Sequence, residues 1–220
     1  PFDLRKVGAV SIIAEIKRAS PVKGVFKADL DPAALALQYK AGGAAAISVL
    51  TDATFFKGSV DDLRAARDAA GLPILRKDFV SDEYQLWEAR VMRADAALLI
   101  VRILEPGQLR DYIALAREEL KIATLVEVHS EKELDVALDA GASILGINNR
   151  DLDTFKVSLE TTARLRAIVP AGRTVVSESG ISTREHMVLL KNMKIDAALI
   201  GEELVKAPDP EARLKELLGT

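Results

Sequence analysis

Two oppositely charged side chains interrupt an apolar run near the start of the sequence. Glu15 and Lys17 lie in Ser-Ile-Ile-Ala-Glu-Ile-Lys (11–17), which otherwise has the composition of a buried β-strand. Side chains alternate along a strand, so both charges point to the same face. Buried opposite charges are costly unless they pair, bind a ligand or lie at a solvated opening. On this run alone, a structural ion pair and a functional polar site are equally good interpretations.

Later apolar runs end in the same way. Lys77 closes the third run, Glu127 lies near the end of the fifth, and Asn148 and Glu178 close the sixth and seventh. A lysine among carboxylates can donate a proton to a carbonyl or a leaving hydroxyl. A glutamate beside an apolar wall can have its pKa raised enough to shuttle protons. Lysine can instead form a Schiff base, and the sequence alone does not separate these two uses of Lys77.

The elements that would position these side chains alternate regularly. Apolar or β-branched runs start about every 26 residues, the length of one strand-plus-helix unit. We predict strands at 11–17, 45–50, 73–77, 96–101, 122–128, 143–148, 173–178 and 196–201. Each precedes a predicted helix, at 32–41, 60–70, 82–93, 106–120, 131–140, 158–169, 183–192 and 210–218.

Eight such units favour a closed (β/α)8 barrel, the TIM barrel, with residues 1–220 as a single domain. The main alternative is an open doubly wound sheet, which often has a glycine-rich dinucleotide loop after its first strand. Here the first run leads instead into Lys-Arg-Ala-Ser-Pro (17–21). Catalytic groups of such barrels lie at the C-terminal ends of the strands. The charged strand ends are therefore expected to meet at one mouth.

Glycines follow the last two predicted strands. Ser179-Gly180 and Gly201-Glu202 occupy loops that often bind phosphate through backbone N–H groups in such barrels. Ser20 would add a donor from the first loop. Ordinary turns are the alternative interpretation of these glycines.

Aromatic side chains follow the second and third runs. Phe56 and Phe79 at a barrel mouth could hold a flat ring, although packing beneath loops explains either one equally well. Leu98 lies in the middle of the fourth run and is expected in the core. His129 shares a strand face with Glu127, and a surface position at the strand end is favoured over metal ligation.

The composition restricts the classes of function. The net charge of −3 argues against a nucleic-acid partner or an anionic membrane surface. No cysteine is present, which excludes thiolate chemistry and makes a cytoplasmic location the expectation. No apolar run approaches the length of a membrane span. The two histidines have no paired spacing, so no metal is expected, although a carboxylate-only Mg²⁺ site remains open.

Eight motifs occur in order across essentially the whole chain. They are Ile-Ala-Glu-Ile-Lys-Arg-Ala-Ser-Pro (13–21), Ser-Val-Leu-Thr-Asp (48–52), Phe-Phe-Lys-Gly-Ser (55–59), Leu-Arg-Lys-Asp-Phe (75–79), Leu-Val-Glu-Val-His (125–129), Gly-Ile-Asn-Asn-Arg-Asp-Leu (146–152), Ser-Glu-Ser-Gly-Ile (177–181) and Leu-Ile-Gly-Glu (199–202). Together they resemble the indole-3-glycerol-phosphate synthase family of tryptophan biosynthesis. The resemblance implies a carboxy-lyase that closes the ring of 1-(2-carboxyphenylamino)-1-deoxyribulose 5-phosphate with loss of CO₂ and water. It implies no cofactor and no metal.

The resemblance also implies roles for the charged strand ends. Lys77 would be the general acid that protonates the ketone as the ring carbon attacks, and Glu127 would act in the proton transfers. Lys17 would contact phosphate or substrate and could be the acid for hydroxyl loss, with Glu15 orienting it. The division of acid and base roles among these four residues is left open.

Substrate contacts follow from the same resemblance. Asn148 and Glu178 would hold sugar hydroxyls, and Arg150 would help to place the substrate carboxylate. The implied phosphate cradle consists of Ser179, Gly180, Gly201 and Glu202. The implied lining of the anthranilate pocket consists of Phe56, Phe79, Leu98 and Leu152.

Two features depart from the family pattern. Family members usually carry an extension with an extra helix before the first strand, and most of it is expected to be absent here. Val22 stands where serine is common in the first loop. Another phosphosugar isomerase or lyase, or a barrel that binds a phosphorylated ligand with little turnover, therefore stays an alternative. The expected partner is a small phosphorylated molecule, and association with other enzymes of tryptophan biosynthesis is left open.

Overall fold

Eight parallel strands close into a barrel in the computed structural model, which describes residues 2, 4, 5, 8–21, 24, 25, 27–151 and 153–220. Each strand pairs with its neighbours in the sequence, and the first strand pairs with both the second and the eighth. The strands in order are Ser11–Ile16, Ala46–Leu50, Ile74–Lys77, Ala96–Ile100, Ala123–Val128, Ile144–Asn148, Thr174–Glu178 and Ala197–Ile200. The predicted (β/α)8 fold is confirmed.

Helices cover the outside of the barrel. They are α1 (Pro32–Ala41), α2 (Val60–Ala70), α3 (Tyr84–Val91), α4 (Pro106–Leu115), α5 (Glu131–Asp139), α6 (Glu160–Arg166), α7 (Arg184–Asn192), α8 (Glu202–Val205) and α9 (Pro210–Leu218). Side chains cap several of them, as Asp31 does for α1 and Ser130 for α5 by accepting backbone N–H groups of the first turn. Among the described residues, no helix combines the length and apolar character needed to cross a membrane.

The structure adds short elements that the sequence pattern did not predict. A hairpin of Ala19–Ser20 with Gly24–Val25 follows the first barrel strand, and α8 precedes α9. Both are too short to show a periodic pattern. The third helix begins at Tyr84 and not at residue 82, because the Asp82 carboxylate accepts the Tyr84 N–H and so ends the preceding turn.

Alternate residues of the strands fill the barrel interior with apolar side chains. Ile13, Leu75, Leu125 and Val176 belong to this interior cluster, while their neighbours in sequence pack outward against the helices. Two residues further along the same face, each of these strands reaches a charged residue. The interior is therefore apolar below and polar at the C-terminal ends of the strands.

Phe2, Leu4 and Arg5 lie at the opposite end of the barrel. Phe2 and Leu4 are buried in the interior cluster. The Arg5 guanidinium donates hydrogen bonds to Thr174 Oγ1 at 2.9 Å and to the Gly172 carbonyl at 2.6 Å, where the seventh strand starts. The polar end is thus the open one.

Candidate active site

Strand register brings the polar strand ends to one level. Glu178 lies opposite Asn148 on one side and Leu199 on the other, and Glu127 lies opposite Ile100 and Gly146. Glu15, Glu127 and Glu178 are all buried. The structure gathers at this mouth the residues predicted as catalytic, namely Glu15, Lys17, Lys77, Glu127, Asn148 and Glu178.

Lys77 is held between two carboxylates. Its Nζ lies 3.5 Å from Glu127 Oε2 and 3.6 Å from Glu178 Oε2. Burial by itself would lower the pKa of Lys77, but the charges of Glu127, Glu178 and Glu15 outweigh it and raise that pKa above its ordinary value. The side chain is therefore an ammonium group at neutral pH, with protons to donate.

The two carboxyl groups beside Lys77 differ in protonation. Burial favours the neutral form of both, but Lys77 and His129 outweigh it at Glu127 and lower that pKa. At Glu178, burial and the neighbouring Glu127 charge raise the pKa well above its ordinary value. Two buried carboxyl groups that share one ammonium cannot both ionise readily. The pair beside Lys77 therefore favours a carboxylate at Glu127 and a carboxylic acid at Glu178.

Glu178 has unused hydrogen-bonding capacity. Its Oε1 is buried without a hydrogen-bond partner among the described residues, and so is Glu127 Oε2. Asn148 Nδ2 donates to the other Glu127 oxygen at 3.2 Å. Buried polar atoms without partners are rare and costly. Glu178 Oε1 lies against Gly146 and Glu127 Oε2 lies beside Lys77, so both carboxyl groups retain hydrogen-bonding capacity at the mouth.

Glu15 and Lys17 form a second ion pair at the mouth, with Nζ 2.5 Å from Oε1. The main chain of Gly201 approaches this pair so closely that a Cβ there would lie 2.3 Å from Glu15 Oε1. Arg18 anchors the loop after Lys17. Its guanidinium pairs with both carboxylate oxygens of Asp62 and donates a hydrogen bond to the Leu30 carbonyl. Lys17 is therefore held at the start of the eighth-strand loop.

Gly146 makes room for the Glu178 side chain. A Cβ at Gly146 would lie 2.1 Å from Glu178 Oε1. We expect Gly146→Ala to displace this carboxyl group and lower kcat about tenfold or more, as small misplacements at reacting centres do. Thermal unfolding should change much less than turnover. Gly107→Ala is the matched control, since a Cβ there meets nothing within 4 Å; equal activity of both variants would contradict the role assigned to Gly146.

The loops predicted to hold phosphate have an unusual backbone. Ser179 and Gly180 adopt left-handed φ angles of 67° and 78°, a conformation that side-chain-bearing residues rarely take. Asn149 supports it, because its Nδ2 donates to the carbonyls of Glu178 and Ser179 at 2.9 and 3.0 Å. Its Oδ1 accepts from Thr162. Asn149 was not among the predicted site residues, since a buried amide cannot be told from a surface one by type alone.

The remaining predicted phosphate contacts lie on both sides of this loop. Gly201 ends the eighth strand, and Glu202 begins α8 with its carboxylate 2.7 Å from Lys206 Nζ. Ser20 lies half-buried in the hairpin after the first strand. These positions surround the end of the mouth that includes Lys17.

Aromatic rings line the side of the mouth after the second and third strands. The Phe56 and Phe79 ring centres are 6.2 Å apart, and Phe55 meets Phe79 edge to face at 6.4 Å. Phe79 is 42% exposed, so it is available to a ligand. Leu98 is only 2% exposed and lies opposite Leu125 in the interior, beneath Glu127. Leu152 falls outside the described residues.

Arg150 lies beside a recess next to the mouth. The recess has a volume of about 420 Å³ and is lined by Arg102, His129, Ser130, Glu133, Asn148, Arg150, Asp151, Asp153, Thr161 and Arg164. The Arg150 N–H donates to Asn148 Oδ1 at 3.0 Å. Arg102 is instead paired with Asp153 at 2.8 Å. Arg150 thus joins the recess to the polar strand end at Asn148.

His129 does not occupy the surface position that the sequence favoured. Its side chain is only 9% exposed and lies between two carboxylates, with Nε2 3.3 Å from Glu127 Oε1 and Nδ1 3.1 Å from Glu133 Oε2. Burial by itself would lower the pKa of His129, but these two partners raise it to about 9. The strand face it shares with Glu127 was the available signal; the contribution of Glu133 from α5 was not visible in the sequence.

The closed barrel with charged side chains at its C-terminal end places this chain in the class of (β/α)8-barrel proteins. Solved structures of the same shape include thiamine phosphate pyrophosphorylase from Pyrococcus furiosus, with a TM-score of 0.69, 16% identity and coverage of 96% of this chain and 94% of that chain. At that identity the likeness shows the fold alone.

The described residues contain no group of three or more histidine, cysteine, aspartate or glutamate side chains suited to a metal ion.

The family follows from the sequence comparisons. The family model described as indole-3-glycerol phosphate synthase matches residues 4–217. A relative of that name from Desulfosudis oleivorans is 52% identical over all of this chain and 85% of its own length, and one from Aromatoleum aromaticum is 52% identical over 96% of this chain and 80% of its own length. The chain belongs to the indole-3-glycerol phosphate synthase family, as its motifs predicted.

Proposed function

We propose that this chain converts 1-(2-carboxyphenylamino)-1-deoxyribulose 5-phosphate to indole-3-glycerol phosphate. The observation that carries the proposal is the Lys77 ammonium held between Glu127 and Glu178 at the open end of the barrel. Relatives at 52% identity bear the name of that enzyme. The reaction needs a proton at an oxygen where negative charge develops, and a charged, partly desolvated ammonium group supplies it.

In the first step, the ring carbon that bears the carboxylate attacks the ketone carbon and forms the new carbon–carbon bond. The ketone oxygen becomes a hydroxyl group as Lys77 donates its proton. The carboxylate then leaves as CO₂, and its bonding electrons restore the aromatic ring. An apolar wall that includes Phe56 and Phe79 favours this loss by desolvating the carboxylate.

The second step removes the new hydroxyl as water. It requires a proton for the departing oxygen and a base for the proton lost as the indole double bond forms. We assign these transfers to the Glu15–Lys17 pair and to Glu127, without dividing them further. Glu178, in its neutral form, and Asn148 would hold the sugar hydroxyl groups.

The substrate phosphate provides binding energy away from the reacting atoms. We propose that Ser20, Lys17 and the left-handed backbone at Ser179 and Gly180 bind it, together with the main chain of Gly201. Support comes from the close approach of Gly201 to Lys17, where a Cβ would lie 3.0 Å from Nζ. Arg150 would take the substrate carboxylate, and Leu98 would form the floor of the pocket beneath the ring.

A Schiff-base lyase is less compatible with this mouth. Forming the imine needs a neutral lysine amine, and enzymes obtain it by lowering the lysine pKa. The carboxylates around Lys77 have the opposite effect. Borohydride reduction in the presence of substrate should therefore leave Lys77 unmodified.

The proposal is tested by adding the substrate to the purified protein and following indole fluorescence. We expect a fluorescence increase that inorganic phosphate inhibits competitively. CO₂ release should match indole formation one to one. Binding of the substrate without any product would show a barrel that holds the ligand but lacks turnover.

We also propose that residues 1–220 act as one barrel unit in the cytoplasm. Membership of a biosynthetic family supports this location, and the closed ring of strand pairs supports a single unit. Association with other enzymes of tryptophan biosynthesis is left as an open question for pull-down experiments.

A further inference from the structure

A half-buried histidine lies directly behind the proposed catalytic carboxylate. Glu127 faces the mouth with Oε2 toward Lys77, and its other oxygen, Oε1, is directed toward His129 Nε2 at 3.3 Å. His129 Nδ1 is anchored to Glu133 Oε2 at 3.1 Å, and Glu133 also accepts the His129 backbone N–H at 2.7 Å. The imidazole ring is thus anchored on the Glu133 side, and its Nε2 faces Glu127 at ion-pair distance without a hydrogen-bond partner among the described residues.

We propose that His129 is a positioning residue that keeps Glu127 ionised and oriented from the side opposite Lys77. The inference rests on the proposed function of Glu127 and goes beyond it, because His129 itself does not reach the reacting atoms. Two cations then flank one carboxylate, Lys77 within the mouth and the imidazolium behind it. Glu133 serves to hold the ring in place through Nδ1 and through the backbone N–H.

A purely structural role explains the geometry less well. A histidine that only fills space needs neither partner, whereas Glu133 contacts both the ring and the backbone of His129. Asn148 Nδ2 donates a hydrogen bond to the same Glu127 oxygen at 3.2 Å, and the His129 ring adds a charge contact at 3.3 Å without a hydrogen bond. A buried carboxylate supported in this way stays in one orientation while its other oxygen remains available to substrate.

The charged surroundings of both groups define the pH dependence. Besides His129, Glu127 is influenced by Lys77 of the third strand and by Glu178 of the seventh, and Glu15 of the first strand acts on both of those. The charged groups that share the recess with His129 are Arg102, Glu133, Arg150, Asp151, Asp153 and Arg164. Lowering the pH protonates Glu127 only at strongly acid pH as long as His129 remains a cation.

The test compares His129→Gln with Glu133→Gln. In wild type, kcat/KM should show no loss from Glu127 protonation between pH 4 and 6, because the pKa of Glu127 lies at about 2. His129→Gln removes one of the two flanking charges and should raise that pKa by about two units, which brings it to the lower edge of the pH 4–6 range, so kcat/KM should fall at the acid end of that range. Glu133→Gln keeps the Glu127 carboxylate beside the ring, which still raises the His129 pKa against burial, so His129 should remain a cation in the acid half of this range. The kcat/KM profile of Glu133→Gln should therefore match that of wild type on its acid side.

Each outcome decides the inference. Equal acid-side shifts in both variants would show that the pair only supports the loop, and an unshifted profile in His129→Gln would show that His129 does not act on Glu127. Carbon-13 NMR of labelled glutamate reports the Glu127 titration without turnover, so it still decides the inference if the wild type makes no product. His186→Gln, on α7, is the control for loss of a histidine elsewhere.

Discussion

Lys77→Ala is expected to abolish measurable ring closure while the barrel still folds. Loss of a general acid typically costs 10² to 10⁴ in rate, and we expect the upper part of that range because the same ammonium holds the Glu127 and Glu178 carboxyl groups. KM should change much less than kcat, since the phosphate contacts lie elsewhere. Indole fluorescence under substrate saturation measures the loss, and circular dichroism monitors the fold.

Lys132→Ala provides the matched control for this experiment. Lys132 is exposed on α5, so its replacement removes the same side chain without touching the mouth. If Lys77→Ala turned over substrate within a few-fold of this control, Lys77 would not take part in the chemistry. A collapsed circular dichroism spectrum would call for Lys77→Met, which keeps most of the side-chain volume and lacks the charge.

Glu178→Gln is expected to change activity and stability in opposite directions. We propose that the Glu178 carboxyl group contacts the sugar hydroxyls, and an amide cannot reproduce it, so kcat/KM should fall by about 10², the scale for losing one group at a reacting centre. The folded protein should nevertheless become more resistant to denaturation at alkaline pH. Such a trade-off is common where an active site stores unfavourable interactions.

The sign of the stability effect follows from the direction of the pKa shift. The pKa of Glu178 is raised in the folded protein, chiefly by burial and then by the Glu127 charge. Such a group contributes its full stability at acid pH and loses it as the pH rises from its ordinary pKa of 4.5 through the raised one. Glutamine does not ionise, so the variant avoids this loss. We expect a gain on the order of 1–3 kcal/mol at pH 9 and almost none at pH 4.

Urea unfolding of wild type and Glu178→Gln at the two pH values measures this difference. Glu119→Gln is the control, because Glu119 is exposed after α4. A stability gain in Glu178→Gln that is the same at both pH values would indicate better packing and would contradict the ionisation argument.

Strand periodicity explains how much of the site could be predicted. Once Ile13 and Leu75 are placed inside the barrel, Glu15 and Lys77 must follow on the same face two residues later. The residues at the mouth could therefore be predicted from the strand pattern and from the rule that such barrels have their active sites at the C-terminal ends of the strands. The hairpin after Lys17 and helix α8 were missed because turns of this length carry no periodic signal.

Other features of the site depend on distances that no single run encodes. Glu127 and Glu178 differ in protonation because two strands bring both side chains to one lysine. The absence of a side chain at Gly146 matters only because the Glu178 carboxyl group lies against it. Similarly, Asn149 and His129 have ordinary sequence contexts. Their roles depend on Thr162 from α6 and Glu133 from α5, which the helices place against the strand ends.

The sealed lower end of the barrel has a kinetic consequence. Among the described residues, Phe2, Leu4 and the apolar interior fill the barrel axis, so we expect the product to leave by the path along which the next substrate arrives. Slow release of the product would then block the entry of substrate at the open end of the barrel. Under the proposed function, indole-3-glycerol phosphate should act as a competitive inhibitor, and its release should compete with the chemical steps in limiting the overall rate.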